Sequence, residues 1–152
     1  MQALPKAQHY CAYQERCHAE VIDKLYSFGL NKVEVEQIIV KLIEEDYLNE
    51  ERFAKAFASD KFRFNKWGRK KIEFQLKMKK VSPYNIKTAM KEIDEDDYIA
   101  LLQKEAESKL DSLKKEKNLR AKSAKVFQYL IGRGFETSLI SDVLKHIANP
   151  ED

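Results

Sequence analysis

The sequence predicts an all-α fold of tandem three-helix repeats, and three observations carry that prediction. An apolar pattern occurs three times: Val21, Leu25, Leu30, Val35, Ile38, Ile39 and Leu42; then Ile72, Leu76, Val81, Ile86, Ala89, Met90 and Ile93; then Val126, Leu130, Phe135, Ile140, Val143, Leu144 and Ile147. The starts lie 51 and 54 residues apart, and a fixed period of this size marks a repeat architecture. Within each copy the last four positions fall at i, i+3, i+4 and i+7, one stripe of a helix. Composition agrees: 35% of the 152 residues are charged, with only four Gly and three Pro, too few turn residues for a sandwich or barrel.

The elements follow in order. A first helix is expected from about Lys6 to Phe28, closed by Gly29, since glycine accepts the left-handed conformation at a helix end. Asn31 caps the next helix, with Glu34 as its capping-box partner. Asn49 caps a third, which ends near Asn65. After Trp67-Gly68, a helix covers Arg69 to Lys79, and Ser82-Pro83 opens another. Asp94 caps a long charged helix that reaches about Lys117. Asn118 marks a break, and Leu119 to Arg133 form a helix closed by Gly134, at the repeat position of Gly29. Glu136 or Thr137 starts the last helix, which ends before Pro150. Asp46-Tyr47-Leu48 and Asp97-Tyr98-Ile99 share a repeat position and each opens a third helix; in the last copy that position is Glu151, so the third unit is expected to be truncated. The expectation is one domain over 1–152, with units 7–66, 67–118 and 119–149, about eight helices, elongated and curved.

Charge is uneven. The chain carries +3 overall, but from Lys61 to Lys80 nine cations stand against Glu73 alone, so that stretch holds +8 and the rest −5. Such asymmetry points to a polyanionic or acidic partner. Lysine and arginine bind phosphate without regard to sequence and in a salt-sensitive way. Arg63, Lys66, Trp67, Arg69, Lys70, Lys71 and Lys77 are the candidate binding residues. Arg69, Lys70 and Lys71 open a helix, where cations oppose the dipole, which adds weight to an external anion. Phe62, Phe64, Trp67 and Phe74 are interleaved with the charges; aromatics stack on bases of single strands, but Phe62 and Phe74 read first as core. A secondary basic cluster is Lys114, Lys115, Lys117, Arg120 and Lys122, around the expected helix break.

Other chemistries lack their equipment. On one continuous helix, Cys11 and Cys17 would face different directions, so His9, Cys11, Cys17 and His18 are not read as a metal site. Asp94 to Asp97 lack the glycine turn of a calcium loop and read as capping. There is no phosphate loop, dinucleotide turn or nucleophile elbow, so neither an enzyme nor a cofactor is expected. No apolar run reaches the roughly 20 residues of a membrane span, and no secretory leader is visible. Two cysteines without secretory context suggest reduced thiols in the cytoplasm.

Two motifs carry a family resemblance. Asp46-Tyr47-Leu48-Asn49-Glu50-Glu51-Arg52-Phe53-Ala54 resembles a hallmark of the RecX regulatory family, and Asn65-Lys66-Trp67-Gly68-Arg69-Lys70-Lys71-Ile72 with Leu76 resembles its second landmark. The family usually has Gly at the position of Asp46, and commonly one near Asn65. The resemblance implies a cytoplasmic, monomeric modulator of the RecA recombinase that lies in the groove of the RecA–DNA filament and inhibits it. The alternatives are a stand-alone binder of single- or double-stranded DNA and a helical interaction scaffold.

Overall fold

The structure, a computed structural model, describes residues 2–149. Glu151, on which the expected truncation rests, lies outside them. The described residues form α1 (Ala3–Tyr13), α2 (His18–Ser27), α3 (Lys32–Glu44), α4 (Glu50–Arg63), α5 (Arg69–Met78), α6 (Pro83–Met90), α7 (Glu95–Ser112), α8 (Leu119–Gly132) and α9 (Thr137–Ala148). No helix among them is long and apolar enough to cross a membrane. The chain divides into two compact units, Met1–Ala58 with Gln75–Met90 and Ser59–Phe74 with Lys91–Asp152.

The apolar pattern marks the core. None of its 21 positions is exposed; 16 are buried and the other five half-buried. Each copy is a helix, a turn and a helix: α2–α3, α5–α6 and α8–α9. At the same position in each turn the backbone is left-handed, with φ of +84° at Gly29, +62° at Lys80 and +98° at Gly134. Lysine thus occupies a site that glycine fills in the other two copies. A left-handed non-glycine residue costs about 1–2 kcal/mol, partly offset by the chain entropy that glycine loses on folding. Lys80→Gly is expected to stabilise the protein by about 0.5–1 kcal/mol and raise Tm by ~2 °C. A drop in Tm on thermal unfolding would show that the Lys80 side chain contributes more than its backbone costs.

Nine helices are described where about eight were expected, because the first expected helix is two. Cys17 is extended (φ −85°, ψ 163°), and its N–H and thiol both donate to Glu20 Oε1, at 3.2 and 3.1 Å. Cys11 lies on α1 and Cys17 caps α2; both are free and buried. Burial pushes the Cys11 thiol up, and burial followed by Glu20 pushes Cys17 up to about 11. Both thiols stay protonated at neutral pH and are poor nucleophiles. Two further differences concern α7. It ends at Ser112 rather than near Lys117. Asp97 lies inside its first turn, whereas Asp46 precedes α4 with a φ of +63°, so these two positions are not structurally equivalent.

In the first unit, Ala7, Cys11, Val21, Leu25, Val35, Ile38, Leu42 and Leu48 form a continuous buried cluster. The Asp46–Ala54 motif contributes Leu48 to it. Leu48, Phe53 and Ala54 are buried, and Asn49 Oδ1 caps α4 by accepting from Arg52 N–H at 2.9 Å. The Arg52 guanidinium holds the left-handed turn, donating to Asp46 Oδ1 at 3.0 Å and Asp46 O at 3.1 Å, and it also pairs with Glu15. Glu50 accepts from Ser82 N–H at 2.8 Å and Asn85 Nδ2 at 2.9 Å. Burial raises the Glu50 carboxyl, but those hydrogen bonds and His18 outweigh it and hold it below its ordinary range. The second unit is centred on Tyr98, fully buried and packed between Phe62 at 5.9 Å and Phe135 at 5.4 Å between ring centres.

Candidate functional site

The basic stretch is held by an unusually close backbone contact within the second unit. Gly68, just before α5, lies flat against the turn between α8 and α9. A Cβ on Gly68 would sit 2.3 Å from the Gly134 carbonyl carbon, and one on Gly134 would sit 2.4 Å from Lys71 Cβ. Three successive N–H groups at the start of α5 are satisfied there. Gly68 N–H donates to Arg133 O at 2.8 Å, Arg69 N–H to the Tyr98 hydroxyl at 2.9 Å, and Lys70 N–H to Gly134 O at 2.9 Å. A helix start is otherwise a ready anion site; these donors are already taken by the chain itself. Arg133 also ties down the preceding loop, its Nη2 donating to the carbonyls of Asn65 and Lys66.

Arg69 is the main departure from expectation. Its guanidinium pairs with Glu136 at 2.8 Å and with Glu95, and lies 3.9 Å from the centre of the Tyr98 ring. The Tyr98 hydroxyl completes the network by donating to Glu136. Burial lowers the Arg69 pKa, but the hydrogen bonds and charges of Glu136 and Glu95 outweigh it, so the net shift is upward. Burial and the bond to Glu136 drive the Tyr98 hydroxyl well above its ordinary value. The cation at this helix start is therefore compensated from within the chain.

The neighbouring cations differ. Arg63, Lys66 and Lys70 are exposed, and no carboxylate pairs with them among the described residues. Lys66 is left-handed with a φ of +59°. Lys71 Nζ lies 4.7 Å and Lys61 Nζ 5.2 Å from the centre of the half-buried Trp67 ring. Phe62 is half-buried, as its expected core role requires, but Phe64 and Phe74 are 72% and 58% exposed. These two therefore add aromatic surface to the basic stretch instead of filling a core. Lys77 is exposed but belongs to the other unit. In the secondary cluster Lys114, Lys115, Lys117 and Arg120 are exposed and Lys122 is half-buried. The nearby Glu116 pairs with Lys125 at 2.9 Å.

Comparison with known proteins places this arrangement. The second three-helix domain of RecX matches residues 49–90, which hold α4–α6, and the third matches 95–144, which hold α7, α8 and most of α9. The chain belongs to the RecX family. The regulatory protein RecX of Clostridium perfringens strain 13 is 30% identical over 133 residues, covering 87% of this chain and 62% of that protein. RecX of Oceanobacillus iheyensis is 25% identical over 144 residues, covering 95% of this chain and 53% of that one. This chain thus spans about three fifths or less of the length of these curated relatives. The crystal structure of RecX from Lactobacillus salivarius superposes with a TM-score of 0.88 at 24% identity, covering 97% of this chain and 95% of that chain. In the RecX frame, Gly68 and Arg69 belong to the second domain, while Glu95, Tyr98, Arg133, Gly134 and Glu136 belong to the third. Sequence reasoning missed Arg133 and Glu136. The available signal was Gly134, a glycine directly following Arg133 and one residue before the apolar Phe135.

Proposed function

We propose that this chain is a cytoplasmic, monomeric, non-catalytic regulator that binds the RecA–DNA filament and inhibits RecA, without a cofactor. Membership of the RecX family supports the regulatory role. The observation that carries the site is the set of exposed cations Arg63, Lys66 and Lys70, within a stretch of net charge +8. Uncompensated lysines and arginines favour phosphate and acidic surfaces. Lys77 and the secondary cluster at Lys114, Lys115, Lys117, Arg120 and Lys122 extend the same chemistry. Arg69 is assigned to positioning α5 and not to the partner.

The test is RecA ATPase on single-stranded DNA, with the protein added to a preformed filament. The variant Arg63→Glu/Lys66→Gly/Lys70→Glu removes exposed charge, and its glycine relieves a left-handed backbone. It should keep its helical circular dichroism and a Tm no lower than that of the parent while losing inhibition by a factor on the order of ten or more, with a shallower salt dependence. Full inhibition by this folded variant would refute the proposed surface. Retained DNA affinity in the unmodified chain with no effect on RecA would instead make it a stand-alone DNA-binding module.

A further inference from the structure

The first unit contains a groove that the basic stretch does not use. It lies between α1 and α2, has a volume of about 500 Å³, and is lined by Lys6, Tyr10, Tyr13, Arg16, Lys24 and Phe28 among others. No carboxylate lines it. Its three cations converge on the rings. Lys24 Nζ lies 5.3 Å from the centre of Tyr10 and 5.8 Å from that of Phe28, and Lys6 Nζ lies 5.7 Å from the same Phe28 ring. The Arg16 guanidinium carbon is 3.8 Å above Tyr10 and 6.0 Å from the centre of Tyr13, and Arg16 Nε donates to Tyr10 O at 3.1 Å. None of the three cations pairs with a carboxylate among the described residues.

We propose that this groove binds a nucleotide, with the base stacked against Tyr13 and the Arg16 plane and the phosphate held by Lys6 and Lys24. The assignment follows from combining two features. Three like charges gathered around two rings repel one another, and an anion relieves that repulsion. An anion alone would not need flat partners, but here Tyr13 is 78% exposed and the Arg16 guanidinium is held over the Tyr10 ring by a close cation–π contact and its bond to Tyr10 O. Aromatic faces and guanidinium planes are the platforms on which unstacked bases lie. The cation–π contacts also place the two ammonium groups near the rings and modestly favour that placement. An acidic peptide would satisfy the charges but leave the planar surfaces unused.

The base and phosphate can come from a free nucleotide or from a single strand, and the experiment separates the two. Backbone amide NMR shifts are followed as dTMP, a (dT)10 strand and inorganic phosphate are titrated in turn. The protein carries Arg63→Glu/Lys66→Gly/Lys70→Glu, so the basic stretch of the other unit is weakened and failure of either proposal is distinguishable. Shifts on α1 and α2 with dTMP point to a free nucleotide, and shifts with (dT)10 alone point to a strand; both support the site. Tyr13→Ala and Lys24→Glu, each exposed, should weaken that binding about tenfold without changing Tm. Shifts of equal size with inorganic phosphate would overturn the base assignment. No shift on α1 or α2 with dTMP or (dT)10, or binding indifferent to both substitutions, would overturn the site altogether.

Discussion

Gly68→Ala is expected to destabilise this protein by about 3 kcal/mol or more, lowering Tm by about 10 °C. The reason is space and not backbone freedom, since Gly68 is not among the residues with positive φ. The added carbon would meet Gly134 C, Gly134 O and Phe135 N at 2.3 to 2.4 Å. These are backbone atoms, which cannot swing aside as a side-chain tip can. Relief requires α5 to retreat, which stretches the bonds from Gly68 N–H to Arg133 O and from Lys70 N–H to Gly134 O, 2.8 and 2.9 Å in the native chain. Each such buried bond, once broken, costs a further 1 kcal/mol or so. Denaturant and thermal unfolding measure the effect directly. An alanine variant within about one degree of the parent would mean that the two turns do not pack as described.

Arg69→Ala should cost about 2 kcal/mol, whereas Lys70→Ala beside it should change stability by less than about 0.5 kcal/mol. The side chains of Arg69 and Glu136 are only 20% and 22% exposed, while Glu95 is 65% exposed. Removing the guanidinium leaves the Glu136 carboxylate half-buried, with the Tyr98 hydroxyl as its remaining hydrogen-bond partner. The value sits below the 3–5 kcal/mol typical of fully buried pairs because water still reaches part of the network. Lysine at position 69 should recover less than half of the loss, because an ammonium cannot span two carboxylates and a ring as a planar fork does. Equal stability losses at positions 69 and 70 would remove the distinction between a positioning cation and an outward one. That distinction also governs how any charge-reversal experiment is read: a variant that includes Arg69 reports on folding as well as binding.

The frame was legible in the sequence because burial leaves a periodic trace. All 21 patterned positions avoid the surface, and the caps at Asn31, Asn49 and Asp94 accept the expected backbone donors. What escaped was everything set by distant pairing. Arg69 and Glu136 are 67 positions apart, and in a linear reading a compensated cation looks the same as one awaiting a phosphate. The break between α1 and α2 escaped because cysteine is not a usual capping residue and no glycine or proline marks the site. Phe74 was misread because apolar character alone does not say which face of a short helix is covered. Lys80 was within reach, since its repeat position is that of Gly29 and Gly134, but a lysine there gives no signal of a left-handed turn.

The occupied N–H groups at the start of α5 have a consequence for the manner of binding. Backbone donors would grip one phosphate at one place and set a register. With those donors committed to Arg133, Tyr98 and Gly134, attachment through Arg63, Lys66 and Lys70 relies on the tips of long, mobile side chains. On the proposed function, such a contact is tolerant of position: the protein can slide from one phosphate to the next without crossing a large barrier, and distribute itself along a polyanion instead of locking to a single point.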